Sequence, residues 1–257
     1  MPFDPNDLVQ WIAQFFLPFV QVGAFFATVP VFGNQLVPVQ VRLLLALTTA
    51  ALLFPSLPDL PGVSILSFDT IVFTFQQLII GISLGFFVQV FFHIFVLAGQ
   101  MIAMQMGLGF ASMVDPTNGV SVAVVSQFYV ILVTLLFLAF NGHLVVIEVM
   151  AQSFYFMPIG QSMLSDGALF GIAQAGTWMF ASALLLALPA VTAILIVNFA
   201  FGVMTRAAPQ LNIFSLGFPF TLIFGIFIFW VALAGFMPQY QDLSGEAFNY
   251  LRSIIQP

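Results

Sequence analysis

His143 and Glu148 stand five positions apart in an apolar stretch, and their types could in principle support proton transfer or metal ligation. On a helix that spacing places them on different faces, and no other acid or histidine is near in sequence, so neither a catalytic pair nor a metal site follows. Glu148 alone in an apolar run is a candidate proton-relay carboxylate. The favoured reading is structural, with Glu148 near a helix end or hydrogen-bonded within an assembly. His93, on the apolar face of another run, reads as a satisfied packing residue rather than a ligand. Asp115 precedes Pro116 and a Thr-Asn-Gly turn, a setting where aspartate accepts a backbone hydrogen bond. Cysteine is absent, which removes disulfides, thiolate metal sites and cysteine nucleophiles together. The sequence also lacks HExxH, a phosphate-binding glycine loop and a dinucleotide fingerprint. No catalytic, cofactor-binding or metal-ligating residues are expected, and an enzyme is the least favoured class.

What remains must be positioned by hydrocarbon. The 257 residues are 62% hydrophobic and 5% charged, with a mean hydropathy of +1.16, too little polar surface to cover a soluble globule. The expectation is an all-α integral membrane protein forming a single domain over residues 1–257. The net charge is −6, but nine acids and three arginines form no basic patch, which excludes nucleic acid as a partner and leaves membrane lipid as the surroundings. The N-terminal MPFDPNDLVQW has no Lys or Arg ahead of the first apolar run, unlike a cleaved signal peptide, so the first helix is expected to stay.

The apolar runs cover about 11–32, broken by Pro18 and Pro30, and then 43–54, 71–102, 120–140, a shorter helix carrying Glu148, 169–201 with Pro189 in its middle, and 213–237. Five to seven long, kinked hydrophobic helices and helical hairpins follow. The 71–102 run would be roughly 48 Å long, beyond a hydrocarbon core of roughly 30 Å, so it either projects or breaks. Its Gln76, Gln77, Gln89 and Gln100 are costly towards lipid and sensible towards other helices. Gly81 and Gly85, a small-xxx-small pair, are candidates for a close helix contact. The segments 54–64 and 157–167 read as connections, and 238–257 as a polar, modestly amphipathic tail. Three arginines, Arg42, Arg206 and Arg252, are too few to settle topology.

The unusual stretch is GLGFASMVDPTNGV, residues 107–120, with one carboxylate and with Met101, Met104, Met106 and Met113 in and beside it. A small-solute or proton-coupled secondary transporter needs convergent polar groups near mid-membrane, and charges are scarce here. A subunit of a protein-conducting assembly needs a flexible, barely charged gate instead, and methionine adapts its shape to such a role.

Two motifs carry a resemblance: MGLGFASMVDP at 106–116, and RAAPQLNIFSLGFPF at 206–220, with the same order of apolar runs along essentially the whole chain. On these the sequence resembles the FliR/SctT family of type III secretion export-gate subunits, on the flagellar side. The resemblance implies a non-enzymatic subunit of the bacterial inner (cytoplasmic) membrane at the flagellar basal body. One copy would assemble with five of FliP and several of FliQ into a helical hetero-oligomer, with FlhB and FlhA associated and unfolded flagellar export substrates passing through. It further implies a FliP-like portion over about 1–165, followed by a FliQ-like hairpin and tail over about 166–257. Residues 106–122 would be the plug loop. There, Phe110, Met113 and Val114 would supply apolar contact, Gly107 and Gly109 backbone freedom, Asp115 and Pro116 the anchoring turn, and Met106 the entry. Arg206, Pro209, Gln210 and Asn212 would be structural, ending a helix and bonding freed backbone groups.

Overall fold

A computed structural model describes residues 5–33, 37–57, 67–108, 112–114, 121–160, 166–207 and 213–255. In chain order these form α1 (Pro5–Thr28), α2 (Val39–Leu53), α3 (Phe68–Gln105), β1 (Ser112–Val114), β2 (Ser121–Ala123), α4 (Val124–Ala139), α5 (Gly142–Phe156), α6 (Asp166–Ala207), α7 (Ile213–Ala232) and α8 (Phe236–Ile255). The protein is an all-α integral membrane protein whose only strands among the described residues are the short pair β1 and β2. By length and composition four helices can cross a membrane, or up to five if the bent pair α4–α5 forms one span.

The overlong runs do not break. α3 has 38 residues and α6 has 42, about 57 and 63 Å at 1.5 Å per residue, so both exceed a hydrocarbon core of about 30 Å. Pro189 is accommodated inside α6, and α1 likewise runs through Pro18 and ends at Thr28, two residues before Pro30. Each proline removes one backbone donor, which a helix tolerates at membrane depth when protein surrounds it; Pro18 is itself buried. A genuine break falls between α4 and α5, bent by 68°. Asn141 makes that turn at φ 57, a left-handed conformation that asparagine adopts more readily than other residues with a side chain. The polar tail forms α8, which buries Phe236, Tyr240, Ala247, Leu251 and Ile254 at helical spacing.

The chain divides into two compact units interleaved along the sequence. One comprises Met1–Val90, Leu138–Ala175 and Ala247–Pro257, and the other Phe91–Phe137 and Gly176–Glu246. The long helices α3, α6 and α8 contribute to both.

In the first unit α1 packs on α2, and it meets α3 at the two glycines. A methyl group on Gly81 would collide with the Gln21 carbonyl oxygen, and one on Gly85 with the Thr28 hydroxyl. Gln76 and Gln77 of α3 are buried, turned inward as apolar surroundings require. Gln21 Nε2 donates to Ser153 Oγ at 2.6 Å, tying α1 to α5, and Ser153 Oγ donates to the Met150 carbonyl. Tyr155 donates its hydroxyl to the Ser56 carbonyl. Both Gln21 and Ser153 are buried, so Ser153→Ala should strand the Gln21 amide and lower stability by about 1–3 kcal/mol. Thermal unfolding in detergent checks this, with Gln21→Leu plus Ser153→Ala expected to recover much of the loss because no donor is then orphaned.

The second unit is aromatic. Tyr129 stacks on Phe236 at 5.1 Å and meets Phe229 edge-on at 5.4 Å, while Phe95 contacts Phe236 and Tyr240. Large apolar side chains nevertheless remain outside, among them Ile196, Phe199 and Trp230, each more than 65% exposed. Such surfaces are stable only against lipid or another subunit.

Candidate functional site

The site lies in the second unit, where α3 ends and α4 begins. α3 stops because Gly107 adopts φ 81, a left-handed conformation open to glycine, and its N–H donates to the Met104 carbonyl at 3.1 Å. The segment then returns on itself. β1 and β2 pair antiparallel, with Ser112 opposite Ala123, Met113 opposite Val122 and Val114 opposite Ser121. An irregular loop was the expectation for 106–122, and the structure replaces part of it with this ladder. Two short runs, Ser-Met-Val and Ser-Val-Ala, flank the turn-forming Asp-Pro-Thr-Asn-Gly, a hairpin signal present in the sequence. Gly109, Phe110, Asp115 and Pro116 lie outside the described residues.

Below the ladder the two flanking helices are pinned. A methyl group on Gly99 of α3 would come within 2.6 Å of the Ser126 Cα of α4, so the backbones touch, and Ser126 Oγ donates to the Val96 carbonyl at 2.9 Å. The C-terminal end of α3 is held from two further sides. Met106 is buried against Gly225 of α7, where an added Cβ would lie 2.6 Å from Met106 Cγ. From α6, Asn198 Nδ2 donates to the Gln105 carbonyl at 3.3 Å, satisfying a C-terminal carbonyl that the helix leaves open. Sequence reasoning missed Gly99, Ser126, Asn198 and Gly225. An asparagine in the apolar run of α6 and a glycine within the apolar run of α7 were the available signals.

The other candidates are placed as follows. Arg206 is exposed in the last turn of α6; Pro209, Gln210 and Asn212 lie outside the described residues. Gly81 and Gly85 form the α1–α3 contact in the first unit. Glu148 is exposed on α5 and accepts from Gln152 Nε2 at 3.0 Å, while His143, at the start of that helix, is half-buried, as is His93 on α3. Among the described residues no group of three or more His, Asp or Glu side chains could hold a metal ion.

The arrangement therefore offers mechanics. A short ladder hangs from two helices fixed to each other at Gly99 and Ser126, and its entry residue is seated in a notch. Gly225→Leu should evict Met106 and loosen the segment, with Gly225→Ala a milder version because Met106 has flexible torsions. Limited proteolysis checks this: the expected outcome is several-fold faster cleavage within 107–123 in the leucine variant, with helical content unchanged.

The sequence matches the family described as bacterial export proteins, family 1, over residues 12–247. It is 40% identical over 255 residues to the flagellar biosynthetic protein FliR of Pectobacterium carotovorum subsp. carotovorum, covering 99% of this chain and 97% of that one. Identity to FliR of Escherichia coli (strain K12) is 39% over 249 residues, 96% of this chain and 94% of that one. Identity to FliR of Bacillus subtilis (strain 168) is 28% over 217 residues, 83% of each.

Proposed function

Because the chain belongs to the bacterial export proteins, family 1, and its relatives are flagellar biosynthetic proteins FliR, we propose that it is a non-enzymatic subunit of the flagellar protein export gate. Its place is the bacterial inner membrane at the flagellar basal body, as one copy among FliP and FliQ subunits with FlhB and FlhA attached. Residues 1–165 act as a FliP-like portion, and 166–257 as a FliQ-like hairpin with its tail. Residues 106–122 are the plug, which closes a protein-conducting pore until an unfolded flagellar subunit displaces it.

The observation that carries this reading is the construction of the 106–123 segment. It is a ladder with fixed feet, hung from α3 and α4 and gripped by Asn198 and Gly225. A segment of this build can swing without unravelling the helices that bear it. Its composition suits a seal, since residues 107–120 contain a single charged side chain, Asp115, so little polar surface must be desolvated when the pore closes. Methionines adapt to whatever faces them, which allows tight closure and passage of varied chains. The exposed apolar faces of α6 and α7 and the excess length of α3 and α6 are consistent with burial among other subunits.

Native mass spectrometry of the chain co-expressed with its neighbouring membrane subunits tests the assembly. One copy bound to several copies of two smaller membrane proteins is the expected result. A monomer or homodimer that ignores them would overturn it and return attention to a transporter, with Glu148 and His93 as its candidate residues.

A further inference from the structure

A cleft of about 200 Å³ lies between α6 and α8 in the second unit, away from the 106–123 segment in sequence and built from different residues. Its apolar floor is made by Leu185, Leu186 and Leu243, and its polar groups include Asp242, Glu246 and Ser182. Asp242 and Glu246 are one helical turn apart on α8, so their carboxylates share a face. Trp178 of α6 donates its indole N–H to Glu246 Oε2 at 2.9 Å, which orients that carboxylate.

Two features call for a cationic occupant. The first is missing counter-charge. Arg206, the arginine within this unit, lies 24 residues beyond Ser182 on the same helix, about 36 Å along its axis. Arg252 lies six positions after Glu246 on α8, off its face. Asp242 has no hydrogen-bond or ion-pair partner among the described residues. The second is Ser182, which is 7% exposed, lines the cleft and likewise has no hydrogen-bond partner among the described residues. The Ser182 oxygen is reachable from the cleft, so a polar group entering there can bond it.

We propose that this cleft receives a basic side chain, a guanidinium or ammonium group, from a neighbouring protein subunit. The charged head sits between Asp242 and Glu246 within reach of the Ser182 hydroxyl, and the methylene stem lies on the leucine floor, as long basic side chains prefer. The three leucines and the adjoining indole favour such an amphipathic group over a bare metal ion, which would want oxygen ligands on all sides. This inference rests on the assembly reading above.

The test uses the full chain co-expressed with its neighbouring membrane subunits. A photo-crosslinking residue replaces the exposed Leu185, and Asp242→Asn with Glu246→Gln is made separately. The expected results are a crosslink to a partner peptide bearing Arg or Lys within a few residues, and about tenfold lower recovery of the assembled complex for the neutral double variant. Asp242→Glu, which keeps the charge, should assemble normally, and the neutral variant alone in detergent should melt like the parent. Crosslinks to phospholipid only, to a peptide without a basic residue, or unchanged recovery of the neutral variant would each overturn the proposal. If the unaltered chain itself failed to assemble, the assembly reading would fall and this inference with it. If only the charge variants behaved like the parent, this inference alone would fall.

Discussion

Removing residues 107–116 leaves the assembled complex recoverable but makes the membrane leak. On the plug reading the deletion takes away the apolar contacts proposed to close the pore, while sparing Gly99, Ser126, Asn198 and Gly225, which hold the flanking helices. A gate favouring its closed form by about 3 kcal/mol is open about 1% of the time, so loss of the seal raises permeability on the order of a hundredfold. Uptake of ions or small dyes in cells expressing the variant measures this, with complex recovery monitored in parallel. Normal impermeability together with normal secretion would mean that the segment is an ordinary connection.

The second large effect concerns assembly of the chain itself. Gly81→Val and Gly85→Val each place branched carbons where the Gln21 carbonyl and Thr28 already stand, so α1 and α3 must separate. Overpacking of this kind costs roughly 1–3 kcal/mol per site, and more where backbone rather than a side-chain tip must yield. The contact also brings α1 to the distance at which Gln21 reaches Ser153 of α5, so separation breaks a buried hydrogen bond as well. The pair of substitutions should abolish recovery of folded protein from the membrane. Gly23→Ala is the control, because nothing lies within 4 Å of its added Cβ and alanine is the better helix former. Equal recovery of the valine variants and the control would show that the two helices do not depend on that approach.

Much of the class was legible in the residues, because hydropathy and the scarcity of charge admit only a membrane protein, and the runs fall close to the helices that form. Proline misled locally. Pro18 reads as a break, yet α1 passes through it as α6 passes through Pro189, since a single lost donor is tolerable inside protein. The loop at 106–122 was visible as a loop from its glycines, whereas the β1–β2 ladder needed the flanking runs to be recognised as partners across Asp-Pro-Thr-Asn-Gly.

What escaped the sequence altogether was long-range. The Asn198 bond spans 93 positions and joins α6 to the end of α3. Gly225 has no motif around it, and its role emerges only when Met106 is seen occupying the space where a side chain would be. Polar and small residues in apolar helices mark such contacts in kind, while the partner is set by packing that no local pattern encodes.

The most direct test of the plug is a photo-crosslinker at position 113, in β1, read in a resting complex and in one stalled by an export substrate with a tightly folded trailing domain. The predicted result is crosslinking to partner gate subunits at rest and to the unfolded portion of the substrate when stalled. Crosslinks that are the same in both states, or that reach only lipid, would contradict a plug displaced by the exported chain.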